Sequence, residues 1–588
     1  MRKTVAGVVL GVLLLIVFWI GGASFALLYF GVGIYVLALL MIPGYVIASL
    51  VFKGSSCSFR IAASTAVTSP IYSVAILLAL AAGDHRDTLS SIFALSMIGG
   101  SLFILFRRRE LIKDFRTTDK THLKWTLLLF VFAISLMALP ISVRDVPYLA
   151  GHSVEETRLP IAPGDQYLPY RLEQILLNGA DWKGVNFYGI WTVADRTPLM
   201  GLVAAFVSSS LHVIPPLDWV WNVPSGAFSW NVFQVVGCML DAQILLSAYL
   251  VLEIIFGTAR ARLTMPFLAV NPFMIWNTFY TSPKSMAAYF VLLSLILITE
   301  RKFIWGGVIA ALGFLSHSYA LFYIIGLLFL ICSRIRTNSP KEVRNLLLFG
   351  LSAALAVAPW FIWTTFIYGH VSSFLLYPLA SSGPDSTLGS AHIVEQFLKA
   401  PMSLFVWTRV VNTFRTIFPW PLGITPAWFS QFGWADVFSW TDSINALLLV
   451  TYIFTIPGAL SLSLTLPAYI AWVRSKSKML FACTTLPLIF AIIFFGYPTA
   501  GLASLMAQPL VPVLACAAVS IVPKPTSKVL FITLLAEHFF FIWVNVYPAN
   551  LLLTKIRSIS DVAIFGALVV WAFATARMTL RTFRSNLA

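Results

Sequence analysis

Charge is the scarcest commodity in this chain. Only 11% of its 588 residues are Asp, Glu, Lys or Arg, against 59% hydrophobic. A soluble domain carries about 25% charged residues, which excludes an ordinary water-soluble fold. Cysteine is also rare: Cys57, Cys238, Cys332, Cys483 and Cys516 lie in or beside apolar runs, with no Cys-x-x-Cys or Cys/His spacing. That signals neither a disulfide framework nor a zinc site. Strict apolar/polar alternation is missing too, which argues against a membrane β-barrel.

Long apolar runs are what the chain has instead, several exceeding the roughly 20 residues that cross a bilayer. The expected architecture is an all-α polytopic membrane protein with about 16 transmembrane helices. The first is expected at 5–29, read as an uncleaved span behind Met1-Arg2-Lys3, and the last at 561–577. The net charge of +16 does not imply nucleic acid, because the basic residues are spread over short loops. Threading the spans from a cytoplasmic N-terminus puts more than two-thirds of the 39 Lys and Arg inside, as membrane orientation requires. The apolar segment 198–213 is too short for a full span and would invert this bias, so it reads as a re-entrant or interfacial helix.

This division predicts a four-helix extension (1–106), a basic cytoplasmic linker (107–124) and a main membrane module (125–367) containing a first outer loop at 143–229. A second outer loop (368–443) and C-terminal helices with a basic tail (444–588) follow. The large loops face outward, where nucleotide sugars and ATP are not normally available. Chemistry there needs a donor already carried across the membrane.

A polar island runs from Gly164 to Trp182. Pro169 suits a first helical turn, apolar residues at 168, 172, 175 and 176 recur at helical spacing, and Asn178-Gly179 is a stop signal. An amphipathic helix over 168–178, lying on the membrane, is expected. Asp165 falls just before it, near the partial positive charge of a helix start, which favours the ionised form that a general base requires. A simple N-cap is the competing use of the same residue. Asp145, directly after the preceding span, is a second acid of this loop.

The order span, outer loop, Asp165-x-Tyr167-x-x-Tyr170-Arg171, amphipathic helix, Asn178-Gly179, Asp181-Trp182 resembles the first luminal loop of GT-C-fold glycosyltransferases. Its wording is similar to that of oligosaccharyltransferase catalytic subunits and, more loosely, of the protein O-mannosyltransferase and aminoarabinose-transferase group. Gln166 replaces the second acid of the Asp-Glu form, and no Trp-Trp-Asp motif is present. The resemblance implies a GT-C-like fold in the cytoplasmic (inner) membrane, with its active site on the periplasmic or extracellular side. It implies transfer of a sugar from a polyprenyl-phosphate donor to a glycan, lipid or protein acceptor among membrane lipids. Asp165 and Asp145 would be catalytic, or would ligate a divalent Mg or Mn ion in members that use one. Tyr167, Tyr170, Arg171 and His317 would contact substrate.

Four outer cations are candidates for the donor phosphate. Lys284, in the short turn Thr281-Ser282-Pro283-Lys284-Ser285, is either a clamp or a snorkelling lysine. Arg196 has Asp195 beside it and also reads as half of a local ion pair. Arg409 and Arg415 sit among tryptophans whose density an interfacial loop accounts for. His317, in the turn Ser316-His317-Ser318, is alternatively a capping or packing residue. Asp241 and Glu537 fall inside expected spans, where acids are costly. They leave open a flippase or transporter of lipid-linked glycans, beside an O-antigen polymerase or ligase.

Overall fold

A computed structural model describes residues 31–143, 167–178, 186–187, 191–192, 197–211, 225–279, 281, 283–333, 340–368, 395, 398–417, 458, 460–474, 485–495 and 508–546. The expected spans 5–29 and 561–577, and most of the second outer loop, lie outside these residues. The described chain is helical apart from one antiparallel pair of two-residue strands, β1 (Asn186–Phe187) and β2 (Trp191–Thr192), in register Asn186 to Thr192.

Among the described residues five helical stretches are long and apolar enough to cross a membrane: Gly31–Val51, Cys57–Leu80, Gly83–Arg107, Ser229–Phe256 and Pro340–Phe366. Shorter apolar helices accompany them, among them Leu199–Leu211, Lys284–Thr299 and Phe303–Ser316. This is an integral membrane protein by composition and helix length.

The chain divides into two compact units. The first comprises Met1–Val251, Asn277–Ala320 and Ile335–His370. Its elements are α1 (Gly31–Val51), α2 (Cys57–Ala62), α3 (Ser64–Leu80), α4 (Arg86–Arg107), α5 (Arg109–Thr117), α6 (Thr121–Val143), α7 (Tyr167–Asn178), α8 (Leu199–Leu211) and α9 (Ser225–Ala242). Most of α10 (Ile244–Phe256) belongs to it as well. After α11 (Thr258–Ala269) and most of α12 (Pro272–Phe279), which belong to the second unit, it resumes with α13 (Lys284–Thr299), α14 (Phe303–Ser316) and α16 (Pro340–Ile362). The second unit also holds α15 (Ala320–Cys332) beyond its first residue, α17 (Met402–Ile417), α18 (Leu462–Arg474), α19 (Leu486–Phe494), α20 (Leu510–Ile521) and α21 (Lys524–Val546).

The first unit is built around α8 and α9. The Ser229–Phe256 stretch is buried along most of its length, whereas Pro340–Phe366 is buried at few positions and turns Leu347, Leu351 and Leu355 outward. An apolar side chain gains no hydrophobic energy by leaving lipid, so helices there associate through close packing and polar contacts. α8 illustrates both. At thirteen residues it spans about 20 Å, short of the roughly 30 Å hydrocarbon core. It was expected to be re-entrant or interfacial. Instead of lying on a surface it is buried almost end to end and packs on α3, α4, α7 and α9.

Candidate functional site

α7 forms where local signals place it, Tyr167–Asn178 against the expected 168–178. Its apolar stripe does not rest on lipid. Leu168, Tyr170, Leu172 and Ile175 are buried against protein, while Arg171 and Asn178 are exposed. The Tyr170 ring meets Trp230 edge-on at 4.8 Å and Phe233 at 5.5 Å, both on α9. On the other side α7 reaches α8 at Gly201. A Cβ on Gly201 would stand 2.8 Å from the Pro169 carbonyl oxygen, so only glycine admits this approach without a backbone shift.

Glu173 completes the docking, and sequence reasoning assigned it no role. It is fully buried, and its Oε1 accepts from Ser208 Oγ of α8 at 2.5 Å and from Ser229 Oγ of α9 at 3.5 Å. Gln174 donates to the same Ser229 hydroxyl, and Arg86 of α4 donates to the Leu177 carbonyl. Burial pushes the Glu173 carboxyl up to about 8, with the two serine hydroxyls pulling the other way. Two signals were available in the sequence. Glu173 follows Pro169 by four and Tyr170 by three, on the buried face, and three serines stand together in an apolar helix.

Those serines each hold a different helix. Ser208 binds Glu173. Ser209 donates to Asp87 at 2.7 Å, with Ser90 2.9 Å away, and Ser210 pairs with the Tyr35 hydroxyl at 2.9 Å. α8 thereby ties α1, α4 and α7 together. Because lipid supplies no alternative partners for such hydroxyls, these bonds act as interhelical glue.

A second polar group surrounds the start of α13. Lys284 is 5% exposed and opens the helix after Pro283. Met286, two residues on, donates its backbone amide to Asp241 Oδ1 of α9 at 2.9 Å. The Lys284 ammonium lies within electrostatic reach of the same carboxylate. Asp241 therefore caps α13 from a neighbouring helix, satisfying an orphan amide and meeting the positive end of the helix dipole. Gly237, one turn earlier on α9, lies against Thr281, leaving only 2.5 Å between a Cβ there and the Thr281 Cβ. Thr281 itself takes a positive φ of 49°. The Met286–Asp241 bond sets the start of α13 level with the C-terminal part of α9.

The turn after α14 adjoins this group. Tyr319 is buried and donates its hydroxyl to the Lys284 carbonyl. Its backbone amide donates to His317 Nδ1 at 3.3 Å, so in the neutral ring Nε2 carries the proton. His317 is half-buried and is the C-terminal cap of α14.

The first unit thus brings together Lys284, His317, Asp241 and Tyr319 at one level, and anchors Tyr170 and Arg171 on α7. Tyr167 opens α7, and its side chain lies outside the described set. Asp165, Asp145 and Arg196 also lie outside the described residues. Among the described residues no three His, Cys, Asp or Glu side chains gather as a metal site.

In the second unit, Arg409 of α17 donates from Nη1 to the Phe405 carbonyl and from Nε to the Ile493 carbonyl, each at 3.2 Å. Its guanidinium lies 3.3 Å from the Phe405 ring centroid. Arg415 is on the same helix, and its side chain is outside the described set. Glu537 of α21 is buried facing Ser461 and Ser463 at the start of α18, whose hydroxyls are 2.9 Å apart. Unlike Asp241, it has no hydrogen-bond partner on either carboxylate oxygen among the described residues. Comparison with family models, curated proteins and solved structures found no match for this chain.

Proposed function

We propose that the chain is a GT-C-type membrane glycosyltransferase of about 16 spans that takes a sugar from a polyprenyl-phosphate carrier. The acceptor is a cell-envelope glycan, lipid or protein at the outer face of the inner membrane. Asp165 removes the acceptor proton as the attacking oxygen or nitrogen displaces the carrier phosphate from the sugar carbon. Phosphate is already a good leaving group, so no general acid is required on that side.

Support comes from the anchoring of α7, the helix that begins two residues after Asp165. A proton acceptor is effective only when held within hydrogen-bond reach of its proton. Tyr170, Glu173, Gln174 and the Gly201 approach fix this helix to α8 and α9. The Lys284 and His317 turns supply polar groups within the same unit.

The transporter alternative drew on intramembrane acids along a pathway. Asp241 instead accepts the backbone amide at the start of a neighbouring helix, a capping use that leaves that alternative less support. Purified protein incubated with a panel of polyprenyl-phosphate sugars, with products read by mass spectrometry, tests the proposal. Transfer lost in Asp165→Asn supports it. Absence of transfer from every lipid-linked donor, with lipid-linked glycan crossing proteoliposomes instead, refutes it.

A further inference from the structure

The basic segment between α4 and α6 is given no role in the proposed sugar transfer, and its geometry is specific. α4 ends at Arg107, Arg108 breaks the helix (φ −105°, ψ 72°), and α5 runs from Arg109 to Thr117. α5 is docked, not a loose linker. Leu111 is buried with Tyr45, Cys57 and Ile61, and Phe115 packs beside them. The Tyr45 hydroxyl donates to the Leu111 carbonyl at 3.0 Å.

The docking sorts the charges. Asp114 pairs with Arg60 of α2 at 3.0 Å, and Asp119 accepts from the Tyr249 hydroxyl at 3.0 Å and from the Thr121 amide. Two of the three acids of this segment are thereby engaged by its own fold. Arg107, Arg108, Arg109, Lys113 and Arg116 are all exposed, with only Glu110 exposed among them without such a partner. A second observation fixes their height. The Arg107 guanidinium lies over the Phe103 ring at 5.3 Å and Arg109 over Phe106 at 5.8 Å. Those rings are 58% and 67% exposed and stand at the end of a helix long and apolar enough to cross a membrane. Cations stacked on such rings sit at the boundary between hydrocarbon and headgroups.

We propose that the end of α4 and the outward face of α5 bind the headgroups of anionic phospholipids in the leaflet at which they lie. Five fixed cations along one short helix and its lead-in match a row of lipid phosphates. Clusters of four to eight Lys or Arg beside a span attract such lipids. The inference stands whether or not the chain transfers sugar.

Full-length protein is delipidated and reconstituted in nanodiscs of phosphatidylcholine with or without phosphatidylglycerol, and bound lipids are counted by native mass spectrometry. Wild type should retain phosphatidylglycerol preferentially, and added inorganic phosphate should not displace it. Neutralising the five cations to Gln should erase the preference, at about fivefold in affinity per charge in low salt. The five-Lys version should keep it, which separates lost charge from lost folding. Lys341→Gln/Arg344→Gln, exposed cations at the start of α16, should leave it intact. Equal retention of both lipids by wild type, an undiminished preference in the five-Gln protein, or the same loss per charge in the α16 control would overturn the proposal. The first of these would point to an acidic protein segment as the occupant.

Discussion

Asp241 reaches across 45 residues of sequence to accept the backbone amide of Met286 at 2.9 Å. That bond makes the start of α13, and Lys284 with it, part of the buried core of the first unit. Lys284 has no acidic neighbour in sequence, but in three dimensions Asp241 lies within its electrostatic reach. Truncating buried Lys284 removes its packing at the start of α13 and its electrostatic interaction with Asp241, at a cost of about 1–3 kcal/mol. Lys284→Ala should therefore lower unfolding stability by that order, and Lys284→Met/Asp241→Asn should recover part of it. Denaturant or thermal unfolding in detergent measures both. A Lys284→Ala protein of unchanged stability but weakened donor use would return Lys284 to the role of a phosphate clamp alone.

Glu173 gives the account a pH signature. Its ordinary value is 4.5, and burial pushes it up to about 8. The folded state therefore binds the proton more tightly than the unfolded state. Its stabilising contribution is complete below about 4.5 and is lost as pH rises through about 8. Protection of α7, read as hydrogen exchange of its amides, should fall over that window. Glu173→Gln should keep α7 docked and remove the pH dependence, and Glu173→Ala should cost about 1–3 kcal/mol by leaving Ser208 and Ser229 unmatched. An unchanged pH response in Glu173→Gln would place its origin elsewhere.

The bounds of α7 were legible because its start and stop are local: Pro169 in the first turn and Asn178-Gly179 at the end. Which surface it docks on was not. An apolar stripe has the same composition whether it meets lipid or protein, and the deciding partners, Gly201, Ser208 and Ser229, are about 30 to 60 residues away. α8 shows the same limit. Its shortness was visible, but its burial depends on α3, α4, α7 and α9. Lys284 and Asp241 were both noticed, one as a phosphate ligand and one as a transporter acid. Their proximity depends on the packing of Gly237 against Thr281, which no spacing in the chain announces.

The orientation rests on the distribution of Lys and Arg. In a background without the native cysteines, Ser382→Cys should react with a membrane-impermeant thiol reagent added to intact cells, and Ser585→Cys should not. The opposite pattern would invert the topology and put the polar island on the cytoplasmic side.

The most direct test of the central claim is the turnover of purified Asp165→Asn with a confirmed lipid-linked donor, beside Asp145→Asn. The substitution preserves size and removes the proton acceptor, so sugar transfer should fall by about 100- to 10,000-fold with expression and unfolding unchanged. Asp145→Asn should lose less. Near wild-type turnover in Asp165→Asn would contradict the assignment, and a larger loss in Asp145→Asn would move the base to Asp145.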